Sequence, residues 1–184
     1  MYNTLRCARR DARMCDCALA IGGLVGLACA STAVGVYWSK RHAAEDGPPA
    51  LYDVVHARIP AIPTIVPDVL LVACVVAAAV VALPHRARPI LGLVRRVAYI
   101  LCVRGITVSV TAFPTCVPEG GVHSRHDLMF SGHTVLFQAL GDIVALENEA
   151  VGALIKWACP VSLVVARQHY TADVVVAAAV YACF

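Results

Sequence analysis

Two histidines in this 184-residue chain stand among residues suited to handling phosphate. His169 is followed four positions later by Asp173, in Arg167-Gln168-His169-Tyr170-Thr171-Ala172-Asp173. Residues four apart share a helix face, so a helical segment would set the carboxylate beside the ring. That carboxylate would fix the imidazole tautomer and favour its charged form, making the ring a better nucleophile or base. His133 lies in Asp127-Leu128-Met129-Phe130-Ser131-Gly132-His133-Thr134, behind a Ser-Gly pair at the head of an apolar run. A helix starting there offers backbone N–H groups to an anion. The two segments read as opposite jaws of one phosphate site.

Each candidate also has a plainer role. A lone histidine in an apolar helix is commonly a satisfied core group, and Asp127 could simply cap a helix beginning near Phe130. Arg104, followed by Thr107 and Thr111 on one polar stripe, could fork onto a phosphate or pair with Asp142 or Asp68. Burying His169 together with Asp173 for no purpose would be costly, so that pair carries the most weight. Asp142 and Lys156 could pair within a bundle, and Glu147 and Glu149 suit a solvated turn.

The elements that hold these groups are apolar. The chain is 60% hydrophobic and 15% charged, with a mean hydropathy of +0.74. That balance points to an integral membrane protein rather than a soluble domain. No phosphate-binding glycine loop, zinc-ligand cluster or nucleic-acid module is visible, and neither cofactor nor metal is expected. Five of the nine cysteines (Cys29, Cys74, Cys102, Cys159, Cys183) sit in apolar runs and read as buried small hydrophobes. Cys15 and Cys17 flank the first run as candidate acylation sites, and Cys116 falls in a loop.

Hydropathy predicts an all-α fold, a six-helix transmembrane bundle. The expected spans are Ala18–Trp38, Pro67–Leu83, Ile90–Phe113, Leu128–Leu146, Ala150–Ala166 and Tyr170–Phe184. The first reads as a retained helix rather than a cleaved signal. Residues 1–184 then form a single multi-pass domain, with a basic cytosolic tail at 1–17 and a catalytic core at about 67–184. Arginines 6, 9, 10 and 13, then 86, 88, 95 and 96, place the N-terminus and the second link in the cytosol. His133 and His169 then share the exoplasmic side. Prolines 60, 63 and 67 are expected to break any helix in the first link.

These blocks resemble the sphingomyelin synthase family, a branch of the type-2 phosphatidic-acid-phosphatase superfamily. Asp127 and Ser131 to Thr134 match its Asp-x-x-x-Ser-Gly-His-Thr block; His169, Tyr170, Thr171, Asp173 and Val174 match its His-Tyr-Thr-x-Asp-Val block. Arg95, Arg96, Arg104, Ile106, Thr107, Thr111 and Pro114 follow a third block, and Pro67-Asp68 is the remnant of a fourth. Arg125 and His126 stand where the family has Cys-Gly, and Val103 stands where it often has an aromatic residue. The resemblance implies a transferase that moves a phospho-headgroup from a glycerophospholipid to ceramide through a phosphohistidine. His133, His169 and Asp173 would be catalytic, with Arg104, Asp127, Ser131, Gly132, Thr134 and Tyr170 around the substrate. It implies a Golgi, endoplasmic-reticulum or plasma-membrane enzyme with a lumenal or extracellular site, partnered by membrane lipid and not by nucleic acid. Two rivals stay open: a lipid phosphate phosphatase, and a non-catalytic membrane protein that keeps the fold.

Overall fold

A short helix-start signal, Ser131-Gly132, opens the element on which four other helices pack. In the computed structural model, residues 22–23, 25–34, 37, 41, 51–82, 87–111 and 130–184 are described. They are all-helical: α1 (Val25–Val34), α2 (Val54–Arg58), α3 (Ile65–Ala82), α4 (Ala87–Val110), α5 (Gly132–Val144), α6 (Glu149–Val165) and α7 (Thr171–Cys183). Each of the six predicted apolar segments overlaps one of these helices, although α3, α4 and α6 begin before the predicted spans, at Ile65, Ala87 and Glu149. The short α2 was not foreseen, and it exists because Asp53 caps it, accepting from the Val55 and His56 N–H groups.

α5 is the central post, touching α3, α4, α6 and α7. One flank packs Phe137 and Val144 against Cys74 and Ala78 of α3 and Ile155 and Leu163 of α6. The other packs Val135 and Ala139 against Ile100 of α4 and Ala177 and Tyr181 of α7. α5 and α6 approach closely at Gly141 and Gly152, where an added Cβ on Gly152 would fall 2.6 Å from both the Ala145 Cβ and the Gly141 carbonyl oxygen. Gly152→Ala is therefore expected to destabilise the bundle by about 1–3 kcal/mol through overpacking, read as a lowered thermal midpoint in detergent.

Polar groups in the bundle are placed by the same logic. Pro160 inside α6 has no N–H for the Lys156 carbonyl one turn earlier, and the buried Gln138 amide donates to that carbonyl at 2.8 Å. At the far end of α5, Asp142 accepts from Lys156 Nζ and from the Tyr181 hydroxyl, both at 2.7 Å. Arg96 lies 3.7 Å from the same carboxylate and stacks its guanidinium 4.1 Å from the Tyr181 ring centroid. This network joins α4, α5, α6 and α7. Glu147 and Glu149 are exposed, as a solvated turn requires.

Two expectations need correcting. Pro67 does not break a helix; it lies in the first turn of α3, where a missing N–H leaves no intrahelical bond unmade. The five cysteines in apolar runs are unbridged, but Cys29 and Cys183 are exposed rather than buried. α3 is the one described helix long and apolar enough to cross a membrane, with 18 residues of which 17% are buried. Its outward face is valine: Val69, Val72, Val75, Val76 and Val80 are all exposed. Asp127, Pro114, Arg125, His126, Cys15, Cys17 and Cys116 lie outside the described residues.

Candidate active site

α5 begins because Ser131 caps it, its hydroxyl accepting from the Thr134 N–H at 3.1 Å. The cap foreseen for Asp127 is thus supplied by Ser131, which is fully buried. The residue before it, Phe130, has a φ of +22°, an unusual value for a bulky side chain. Its carbonyl oxygen accepts from Arg104 Nε at 3.0 Å, and the ring is buried in the core. Those two contacts hold the bend. Gly132 lets Arg104 lie over the helix start, since a Cβ there would stand 3.3 Å from Nε. Arg104 is 6% exposed. The Thr107 hydroxyl donates to the Arg104 carbonyl one turn earlier on α4, at 2.9 Å.

His169 and Asp173 do meet, though not on one helix face. α6 ends at Val165 with Arg167 in the left-handed region (φ +57°), and Arg167 and Gln168 donate back to the Val164 and Leu163 carbonyls. His169 therefore sits in the turn, ahead of α7. Asp173, in the first turn of α7, reaches back instead: its carboxylate accepts from the Tyr170 N–H at 3.0 Å and stands 3.7 Å from His169 Nδ1. Both are buried, at 6% and 4% exposure, and Nδ1 makes no hydrogen bond. The contact is an ion-pair distance that a charged imidazolium would shorten.

A backbone bond joins the two motifs: the Ser131 N–H donates to the Asp173 carbonyl at 3.2 Å. The His133 and His169 ring centroids are 6.2 Å apart with the planes tilted by 59°. His133 has its own carboxylate, Asp68 Oδ1, 3.8 Å from Nε2. Asp68 comes from the first turn of α3. The starts of α3, α5 and α7 thus converge, each presenting the positive end of its dipole. With Arg104 beside them, they form a strongly anion-favouring end of the bundle.

Sequence reasoning missed Asp68 as a histidine partner, reading it only as a possible mate for Arg104. Its pairing depends on helices far apart in the chain, and only the Pro-Asp dipeptide hinted at it. The strap made by residues 51–64 was also missed. It crosses the turn between α6 and α7 through five side chains. Thr171 donates its N–H and hydroxyl to Asp53 at 2.7 and 3.0 Å, and the Leu51 N–H donates to the Tyr170 hydroxyl at 3.1 Å. Arg167 reaches the His56 carbonyl and Gln168 the Thr64 carbonyl. Tyr170, expected to touch substrate, is 4% exposed with its hydroxyl on the strap.

Burial acts to raise the Asp53 pKa, but the hydrogen bonds from Thr171, Val55 and His56 together outweigh it and hold the carboxyl below the usual range. A lowered folded pKa contributes stability that is present above the unfolded value of about 3.9 and lost as pH falls through the folded one. The strap should therefore loosen below about pH 4. Asp53→Ala should loosen it at neutral pH, with amide exchange at Val55 and Thr171 about five- to tenfold faster, as loss of a cap predicts.

Among the described residues, no group of three His, Cys, Asp or Glu side chains could hold a metal ion. No protein-family model and no curated protein matches this chain.

Proposed function

We propose that the protein is a sphingolipid synthase-like transferase. It moves a phospho-headgroup, phosphocholine foremost or else phosphoethanolamine or phosphoinositol, from a glycerophospholipid to ceramide and releases diacylglycerol. The observation that carries this reading is the pair of imidazoles 6.2 Å apart, each beside its own carboxylate, under Arg104 and three helix starts. The two rings differ in setting. The His169 side chain is 8% exposed and the His133 side chain 33%. A sheltered ring suits a nucleophile; an open one suits proton exchange.

Because Nδ1 of His169 faces Asp173, Nε2 is the attacking nitrogen. It attacks the donor phosphorus, the bond from phosphorus to the diacylglycerol oxygen breaks, and His133 gives that oxygen its proton. Asp173 stabilises the charge on His169, and Arg104 with the α5 N–H groups balances the phosphoryl oxygens. In the second half, the primary hydroxyl of ceramide attacks phosphorus, His133 takes its proton, and the phosphorus–nitrogen bond breaks. No metal or cofactor enters.

The same reading makes this a multi-pass protein of six crossings, with a cytosolic N-terminus and the site at the exoplasmic or lumenal face of the Golgi, endoplasmic reticulum or plasma membrane. Support comes from α3, whose exposed valine face would be unfavourable in water and at ease in lipid. The one-third exposure of His133 also favours a second reading, a lipid phosphate phosphatase in which water replaces ceramide. Membranes containing the protein, given fluorescent ceramide and one defined phospholipid, separate them by lipid chromatography. A new ceramide phospholipid indicates transfer, and headgroup release alone indicates hydrolysis. No product from any choline, ethanolamine or inositol donor would leave the non-catalytic reading.

A further inference from the structure

A partly open apolar cavity lies beneath the proposed phosphate site. α1 touches α4 where Ser31 meets Gly105, and below that contact the two helices and α5 line a partly open cavity of about 230 Å³. Its walls include Ala28 and Cys29 of α1, Val97 and Leu101 of α4, and Leu136 and Ala139 of α5. They carry no charged group. The cavity follows α4 from Leu101 to Leu93, about 12 Å at 1.5 Å per residue. That is most of the roughly 15 Å depth of one leaflet's hydrocarbon.

The position ties the space to the chemistry. Leu101 is one turn below Arg104 on α4, and Leu136 is one turn below His133 on α5, so the upper end of the cavity lies one helical turn from the groups that would hold phosphate. Its size decides what fits. A whole drug-sized ligand takes about 300–1,000 Å³, more than is available. Spread along its length, the volume leaves a column about 4–5 Å wide, room for one hydrocarbon chain whose neighbours pack at about 3.5–4.0 Å. We infer that this cavity holds one acyl chain of the phospholipid donor and sets the depth at which its phosphate meets His169. The inference rests on the proposed phosphate site, and it adds a chain-binding subsite between α1, α4 and α5.

A phosphatidylcholine carrying a diazirine in one acyl chain, photolysed with the full chain in nanodiscs, tests it. Labelled peptides should map to the cavity walls of α1, α4 and α5. Ala98→Phe, which fills the cavity from α4, should cut that labelling about tenfold. Cys29→Phe, on the loosely packed α1, should do the same if Ala98→Phe does not fold. Labels confined to the outer face of α3, or unchanged in both variants, would overturn the subsite. Cavity labelling in the wild type without turnover of any donor keeps the subsite while the transfer reading fails. Equal turnover of six-carbon and long-chain donors by the wild type and both variants, with labels elsewhere, sinks the subsite while the chemistry stands.

Discussion

Under the proposed transfer, His169→Ala is expected to abolish activity, with kcat falling by at least about 10⁴-fold, because no second imidazole is placed to take over the attack. His133 cannot substitute, since its Nε2 faces Asp68 across 3.8 Å and its ring belongs to a different helix start. The variant should still fold: His169 lies in a turn held by Arg167 and Gln168 backbone bonds, and its Nδ1 makes no hydrogen bond that the substitution would orphan. His133→Ala should cost less, about 10²–10⁴-fold, as expected for a lost general acid. That loss should shrink with a donor whose leaving group needs no proton, such as a nitrophenyl phosphodiester. Acid-labile phosphate on the protein, trapped from that donor, should survive in His133→Ala and vanish in His169→Ala. Trapped phosphate in His169→Ala would refute the assignment of the nucleophile.

Asp173→Asn separates the electrostatic from the structural work of one carboxylate. Asp173 accepts the Tyr170 N–H that starts α7, and an asparagine oxygen can accept the same bond. The fold, read by thermal midpoint, should therefore shift by less than about 1 kcal/mol. The amide cannot stabilise an imidazolium, so turnover should fall by about 10²–10⁴-fold, the range seen when a histidine loses its orienting charge. Near-normal turnover would mean that the 3.7 Å approach to His169 is only part of the α7 cap. Asp173→Ala removes both functions and should lower stability as well, and the difference between the two variants isolates the cap.

Much of this site was legible because its signals are local. Ser131 before Gly132 and an apolar run marks a helix start wherever the segment is placed, and that start is where α5 begins. Six apolar runs marked six helices, since burial or lipid contact demands side chains of that kind in either case. Asp142 with Lys156 was readable as a pair, because two opposite charges in apolar helices have few other partners.

The rest required the chain to be folded. The spacing of His169 and Asp173 suggested a helical i,i+4 pair, yet the histidine precedes α7 and the carboxylate folds back to it through the Tyr170 cap. A four-residue spacing can be satisfied by a cap as well as by a helix face, and only the end of α6, set by Arg167 in the left-handed region, decides between them. Asp68 reaches His133, and Asp53 reaches Thr171 across 118 residues, by contacts that no local pattern encodes. By itself, then, the order of residues determined which groups are candidates for chemistry and, at Ser131-Gly132, where α5 begins. Which carboxylate serves which imidazole, and that three helix starts aim at one point, were decided by packing around α5, because long-range contacts depend on how whole helices share a core.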